Sequence, residues 1–300
     1  MAANTTIFDR KLLRARRQRA RKQGAATFLL DRVAGDLAER LSAVVRTFER
    51  AADIGTPTDA VRHAVIAVGN VTRIVAVGSE GVDSLTEFPQ VIADEEALPF
   101  ADGSLDLVVS ALALQFVNDL PGTFIQIRRA LRPDGLFLAA LVGGDTLSEL
   151  RQAFATAESE SEGGISPRVA PFADTREVGA LLQRAGFALP VTDSERITVR
   201  YADAFALMAD LRRMGATNAL TERRRVPLRR RTLMRMAEIY AENFSDPDGR
   251  VRATFEIVWL SGWAPHESQQ KPLPPGSAAR RLADALGTHE ISTGEKPGGD

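Results

Sequence analysis

The chain contains no cysteine. Disulfides, thiolate zinc sites, iron–sulfur clusters and cysteine nucleophiles are therefore excluded together. Histidine is scarce too: His63, His266 and His289 are the full set. A two-His-one-carboxylate iron site would have to join His63 to His266 or recruit the tail residue His289, which leaves a metal centre without a convincing ligand set. No apolar run approaches the length of a membrane span. Neither a G-x-S-x-G nucleophile elbow nor a G-x-G-x-x-G dinucleotide fingerprint occurs, which removes the usual hydrolase and dehydrogenase readings. Lysine is also rare, with four among the 38 basic residues, so arginine carries the positive charge.

What is present suits an ordinary globular protein. Its 300 residues are 44% hydrophobic and 26% charged, enough for one large core or two modest ones. The net charge of -1 is unevenly spread. Residues 10–22 hold eight basic side chains and no acid, and residues 212–235 hold nine arginines against the single acid Glu222. Such blocks suit an anionic lipid surface or an acidic partner, or they are solvated helix faces. Base-stacking aromatics are missing from both, so nucleic acid is not expected. In the first block Phe8, Leu12 and Leu13 recur near helical spacing behind Asp9, a cap residue, as a docking arm would require.

The apolar period then changes along the chain. Leu30, Val33, Leu37, Leu41, Val44 and Phe48 recur every three or four residues, the pattern of an amphipathic helix. Short apolar runs at 51–54, 74–77, 91–93, 105–110 and 136–142 predict buried strands, with helices at 57–68 and 120–131 between them. Alternation of this kind predicts a doubly wound α/β domain whose ligand crevice lies beyond the carboxyl ends of the strands. Further helices are predicted at 145–157, 175–185, 202–214 and 226–240, and two late strands at 197–201 and 255–260 that pair antiparallel at one edge. The expected organisation is a basic arm and helix (1–48), an α/β domain (49–270) with a helical insertion at about 202–245, and a Pro- and Gly-rich tail (271–300).

The segment 51–61, AADIGTPTDAV, ends a strand in an acid, follows it with a glycine and starts a helix. Asp53-Ile54-Gly55 has the form of the first motif of class I S-adenosylmethionine-dependent methyltransferases. The usual second and third glycines are Pro57 and Asp59 here. Locally these read as a self-capping helix start, with Thr56 at the cap, Pro57 in the first turn and Asp59 in a reciprocal cap. On that reading Asp59 repels an anion bound at the helix start. Residues 93–141 match the later strands of the same superfamily in order. The resemblance implies that Asp53, Gly55 and Thr56 meet the cofactor's amino-acid end. It assigns Glu80 to the ribose, standing in for an acid where the chain has Gly78. Asp94 and Glu95 would meet the adenine, and Ser110 and Leu114 the floor of the site.

FDRKLLRARRQRA, ADEEALPF, LQFVNDLPG, GGDTLSELRQAF, EGGISPRVAPF, LLQRAGF and GWAPHESQQKP together, from residue 7 to about 272, resemble the mitochondrial complex I assembly factors that act as arginine hydroxylases, and their alphaproteobacterial relatives. The malonyl-carrier-protein methyltransferase of biotin synthesis is a more distant likeness. The closer resemblance implies a seven-stranded class I methyltransferase fold, S-adenosylmethionine as cofactor, and a subunit of NADH:quinone oxidoreductase as partner. A chaperone that kept the fold and lost the cofactor, or a small-molecule or carrier-protein methyltransferase, are the alternatives. Asp145 either faces the crevice with Glu149 or caps a helix, and GGDT favours the cap. Arg168 follows a Gly-rich loop where such folds place a lid, and would grip substrate there or lie on the surface. No export signal is seen, so a cytoplasmic location is expected, with at most peripheral membrane contact.

Overall fold

The computed structural model describes residues 6–79, 86–270 and 282–289. The chain divides into two compact units, Met1–Pro265 and His266–Asp300. In the first, α1 (Arg10–Lys22) and α2 (Phe28–Ser42) precede β1 (Ala51–Ile54), α3 (Ala60–Ala67), β2 (Ile74–Gly78), β3 (Gln90–Ile92) and β4 (Leu105–Ala111). Then come α4 (Leu120–Ala130), β5 (Leu131–Val142), α5 (Ser148–Glu162), α6 (Thr175–Arg184), β6 (Ala188–Tyr201), α7 (Ala204–Arg213), α8 (Arg230–Phe244) and β7 (Val251–Trp263). The described part of the second unit includes the short helix α9 (Leu282–Leu286).

The seven strands form one sheet in the order β3-β2-β1-β4-β5-β7-β6. β1 pairs parallel with β2 on one side and β4 on the other, so the winding reverses at its carboxyl end. β7 runs antiparallel between β5 and β6. Period-two alternation divides the core. On β5, Leu136, Leu138 and Ala140 join one apolar cluster with Val33, Leu37 and Tyr240, whereas Phe137, Ala139 and Leu141 join the opposite one with Phe124, Ile127 and Leu182. Strands covered on both faces must be apolar at every position, which is why these runs were legible as strands. Truncating the fully buried Phe137 to alanine should cost about 3–5 kcal/mol.

Two local devices set the start of the site. Asp106, buried at the foot of β4, accepts the N–H groups of Glu49 and Arg50 at 2.9 Å each and so fixes where β1 begins. Asp9 accepts the N–H of Leu12 at 3.0 Å and caps α1, as its sequence position predicts. The second expected helix is shorter than its apolar pattern: α2 ends at Ser42, and Phe48 leaves it to form an isolated parallel bridge with Val71. The late strands are longer than expected. β6 alternates half-buried and exposed positions because its outer edge is unpaired, which dilutes the apolar signal at 188–196.

Candidate functional site

β1 delivers Asp53 to the point where the sheet order reverses, and the carboxylate there is fully buried. Gly55 follows with φ +73, and its N–H donates to the Val77 carbonyl at 2.7 Å. A Cβ at this position would lie 3.0 Å from Ala113 Cβ and 3.0 Å from Glu95 Cγ, so only glycine allows the turn to pass between them.

The expected caps are not what this turn uses. α3 starts only at Ala60, with no side-chain cap bond from Asp59 at the cap position. Thr56 instead donates its hydroxyl to Asp53 and accepts the Ala111 N–H at 3.1 Å, tying β1 to β4. The organiser is Arg62, which the sequence reading passed over. Its guanidinium ion-pairs with Asp53 and with Asp59, the Nε lying 3.0 Å from Asp59 Oδ1. The charge of Asp59 is therefore met within the turn rather than aimed at an incoming anion, which corrects the expected repulsion. Burial pushes the Asp53 carboxyl up to about 6, because desolvation of the carboxylate outweighs Arg62 and the Thr56 hydroxyl.

A cleft of about 280 Å³ opens over this turn. Gly55, Thr56, Gly78, Ser79, Ile92 and Glu95 are among the residues on its wall. A second cavity of about 120 Å³ is largely apolar, with Leu112, Phe116, Phe172 and Phe255. It also contains Gln115, whose buried Oε1 has no hydrogen-bond partner. Arg17, Arg21, Pro57 and Thr58 border both hollows, so the two adjoin.

Of the residues singled out in the sequence, Gly55, Thr56 and Glu95 line the cleft, and Asp53 lies beneath it under Arg62. Asp94 and Glu95 face α1. Arg10 pairs with Glu95 and lies 3.0 Å from both Asp94 and Glu96, while Arg14 lies 2.9 Å from Asp94. Glu80 lies outside the described residues. Ser110 is buried and spends its hydroxyl on the Ile54 carbonyl at 2.7 Å, and Leu114 is buried in the core; neither lines either hollow.

Neither Asp145 nor Arg168, the residues expected on the substrate side, is on the wall of either hollow. Asp145 does not cap α5, whose cap position is Leu147 in the left-handed region. Its carboxylate pairs with Arg196 on β6, and both side chains are exposed. Arg168 pairs with Glu158, a carboxylate with no solvent exposure, and its Nε is 2.8 Å from Glu158 Oε1. Ser166 adds its N–H to Glu158 at 2.7 Å. The 163–168 segment is therefore pinned to α5 at its far end. Among the described residues no group of three or more His, Asp or Glu side chains is gathered as metal ligands would be, and no helix is long and apolar enough to cross a membrane.

Comparison with known proteins fits this geometry. The profile of the methyltransferase domain matches residues 55–139, from the Gly55 turn through β5. The human arginine-hydroxylase NDUFAF5, mitochondrial, is 40% identical over 280 residues, 91% of this chain and 81% of its own length. The chain belongs to the NDUFAF5 family. The zebrafish (Danio rerio) NDUFAF5 is 37% identical over 286 residues, covering 93% of this chain and 89% of its own length. A malonyl-[acyl-carrier protein] O-methyltransferase of Xylella fastidiosa shares 41% identity over 175 residues, only 58% of this chain. Among solved structures, protein BH2331 of Bacillus halodurans superposes with a TM-score of 0.51 at 17% identity, covering 77% of this chain and all but 1% of its own, a likeness of fold alone.

The arm outside the matched profile belongs to the same compact unit as the α/β domain. Asp9 pairs with Arg223, Phe8 forms an isolated antiparallel bridge with Leu220, and the Asp9 N–H donates to the Ala219 carbonyl at 2.8 Å. The basic arm thus docks on its own chain, on the segment between α7 and α8, and crosses from there to the acids at 94–96.

Proposed function

We propose that this chain binds S-adenosylmethionine in the cleft above Gly55 and, as an NDUFAF5-family protein, acts on or accompanies a subunit of NADH:quinone oxidoreductase during assembly of that complex. The observation that carries the reading is the Gly55 turn at the switch point of the sheet, where a Cβ would be blocked on two sides and a polar cleft adjoins an apolar cavity.

The residues present suit the group. Gly55 and Thr56 would receive its amino-acid end, Gly78 and Ser79 its ribose, and Ile92 and Glu95 its nucleoside end. Bound there, the sulfonium would supply an electrophilic methyl group. The chain's own part is alignment and exclusion of water, which the apolar wall of Leu112, Phe116 and Phe172 is suited to provide. The cytoplasmic location and the partner expected from the sequence belong to the same reading.

One observation favours the non-catalytic alternative. Asp94, the acid that the family pattern assigns to the adenine amino group, is already ion-paired with Arg10 and Arg14. Tagged protein recovered from its native membrane fraction and supplied with methyl-labelled S-adenosylmethionine separates the cases. Capture of a quinone-oxidoreductase subunit with label transfer supports methyl transfer; capture of a subunit that carries neither label nor any other change in mass supports the chaperone. Recovery of no such subunit overturns the partner, and a soluble fraction free of the protein overturns the location.

A further inference from the structure

Two leucines on the wall of the apolar cavity hold a backbone conformation that leucine rarely takes. Leu112, the first residue beyond β4, has φ +51, and Leu147, between β5 and α5, has φ +54. Such a conformation persists only where its surroundings hold it, and it gathers at binding sites. Here the Leu112 N–H donates to the Ala140 carbonyl at 2.9 Å and the Leu147 N–H to the Thr254 carbonyl at 2.8 Å. Phe116 and Phe172 add an aromatic side to the same wall, edge to face with ring centres 6.2 Å apart.

Polar groups in this hollow are few. Of the threonine hydroxyls on its wall, Thr27 donates to Asp31 at 2.7 Å, Thr58 Oγ1 accepts the Ala60 N–H at 3.3 Å, and Thr146 lies between the N–H and the carbonyl of Glu256. Gln115 differs from them, because its Oε1 is buried and has no hydrogen-bond partner. A buried carbonyl left unpaired is costly, so it favours a ligand that brings an N–H or O–H.

Charge and size narrow the ligand further. Among the described residues the wall carries Arg17, Arg21 and Arg213 but no Asp or Glu. A cation buried here would meet no carboxylate and would bear its full desolvation cost, whereas a neutral donor meets Gln115. An apolar cavity of roughly 150 Å³ takes up benzene. The present hollow of about 120 Å³ is thus of a size for one ring.

We propose that this cavity takes a neutral aromatic ring bearing one hydroxyl or N–H, with Gln115 Oε1 accepting the hydrogen bond. The place of that ring beside a methyl donor rests on the donor-binding reading above and deepens it by naming the class of the second ligand. The two leucines and the phenylalanines shape the slot, and Gln115 selects rings that carry a donor over rings that do not. A free phenol and the tyrosine side chain of a polypeptide share this chemistry.

Ligand-observed NMR titration of the full chain at pH 7, without the methyl donor, tests this with phenol, toluene and methylguanidine. At that pH phenol is neutral and methylguanidine is a cation. Gln115→Met keeps the length of the side chain and removes the acceptor. It should weaken phenol about ten-fold without weakening toluene, whose binding also reports that the fold is kept. Methylguanidine should not saturate where phenol does. A glycine-tyrosine-glycine peptide blocked at both ends separates the sources: tighter binding than phenol assigns the ring to a polypeptide, weaker binding to a small molecule, and both support the class. Equal effects of Gln115→Met on phenol and toluene, or methylguanidine binding tighter than phenol, overturn the proposal. Binding of S-adenosylhomocysteine with no binding of either ring overturns it while the cleft stands; binding of phenol without S-adenosylhomocysteine overturns the donor reading and leaves the cavity its ligand.

Discussion

Arg62 on α3 and Asp53 at the end of β1 form an ion pair almost wholly withdrawn from solvent, with side-chain exposures of 7% and 0%. Removing one partner of such a pair leaves a buried charge uncompensated. Arg62→Ala should therefore lower the unfolding free energy by about 3 kcal/mol in a urea titration. The Asp53→Asn, Arg62→Ala double variant should lose clearly less than the sum of the two single variants, because the charges act on each other. Additive losses would show that the pair is not coupled.

The same carboxyl makes stability depend on pH in an unusual direction. Its folded pKa, pushed up to about 6 by burial, exceeds the ordinary value of 3.8. Between those values the folded state holds more protons than the unfolded one, so this contribution is complete below about pH 4 and is lost as pH rises through 6. The shift corresponds to about 3 kcal/mol. Asp53→Asn should remove that fall, read as the difference between variant and wild-type stability from pH 4 to pH 6. A difference that does not vary with pH would count against the assignment.

Arg168 should behave as a structural residue. Burial raises the Glu158 pKa, but the Ser166 N–H and Arg168 outweigh it and hold the carboxyl below its ordinary value. Its stabilising contribution is thus present above the ordinary glutamate range and lost as pH falls. Arg168→Ala should cost about 2–3 kcal/mol of stability and expose the 163–168 segment to proteolysis. Unchanged melting together with weaker binding of a partner would restore the substrate-gripping role.

Gly55→Ala combines a positive φ with a Cβ blocked by Ala113 and Glu95. A stability loss of about 1–3 kcal/mol is expected, accompanied by loss of nucleoside binding, since relief of the clash must shift Glu95, which lines the cleft. A variant that melts normally and binds normally would show that the turn is not the cradle.

The layers of the fold were legible because parallel strands buried on both faces need unbroken apolar runs, as at 105–110 and 136–142. The site was legible only in part. Gly55 and Glu95 declare themselves by motif and both line the cleft. Arg62 was missed because its partner Asp53 is nine residues away on another element; the Asp59–Arg62 spacing of three was the available signal. Thr56 reads as a cap by residue type, yet its hydroxyl oxygen accepts the Ala111 N–H from β4 while its proton goes to Asp53. The ion pairs of Asp145 and Arg168 were not legible for a shared reason: their partners, Arg196 and Glu158, are fixed by packing and by a buried charge, neither of which a local motif records.

The central claim is that the hollow above Gly55, between Asp53 and the acids at 94–96, holds an adenosyl sulfonium. Calorimetric titration of the full chain with S-adenosylmethionine tests it most directly. Saturable binding of one ligand per chain, weakened by Asp94→Ala, is the expected result. Absence of any binding heat, together with an unchanged melting temperature in millimolar ligand, would contradict it and leave the arm's arginines as a permanent closure of the cleft.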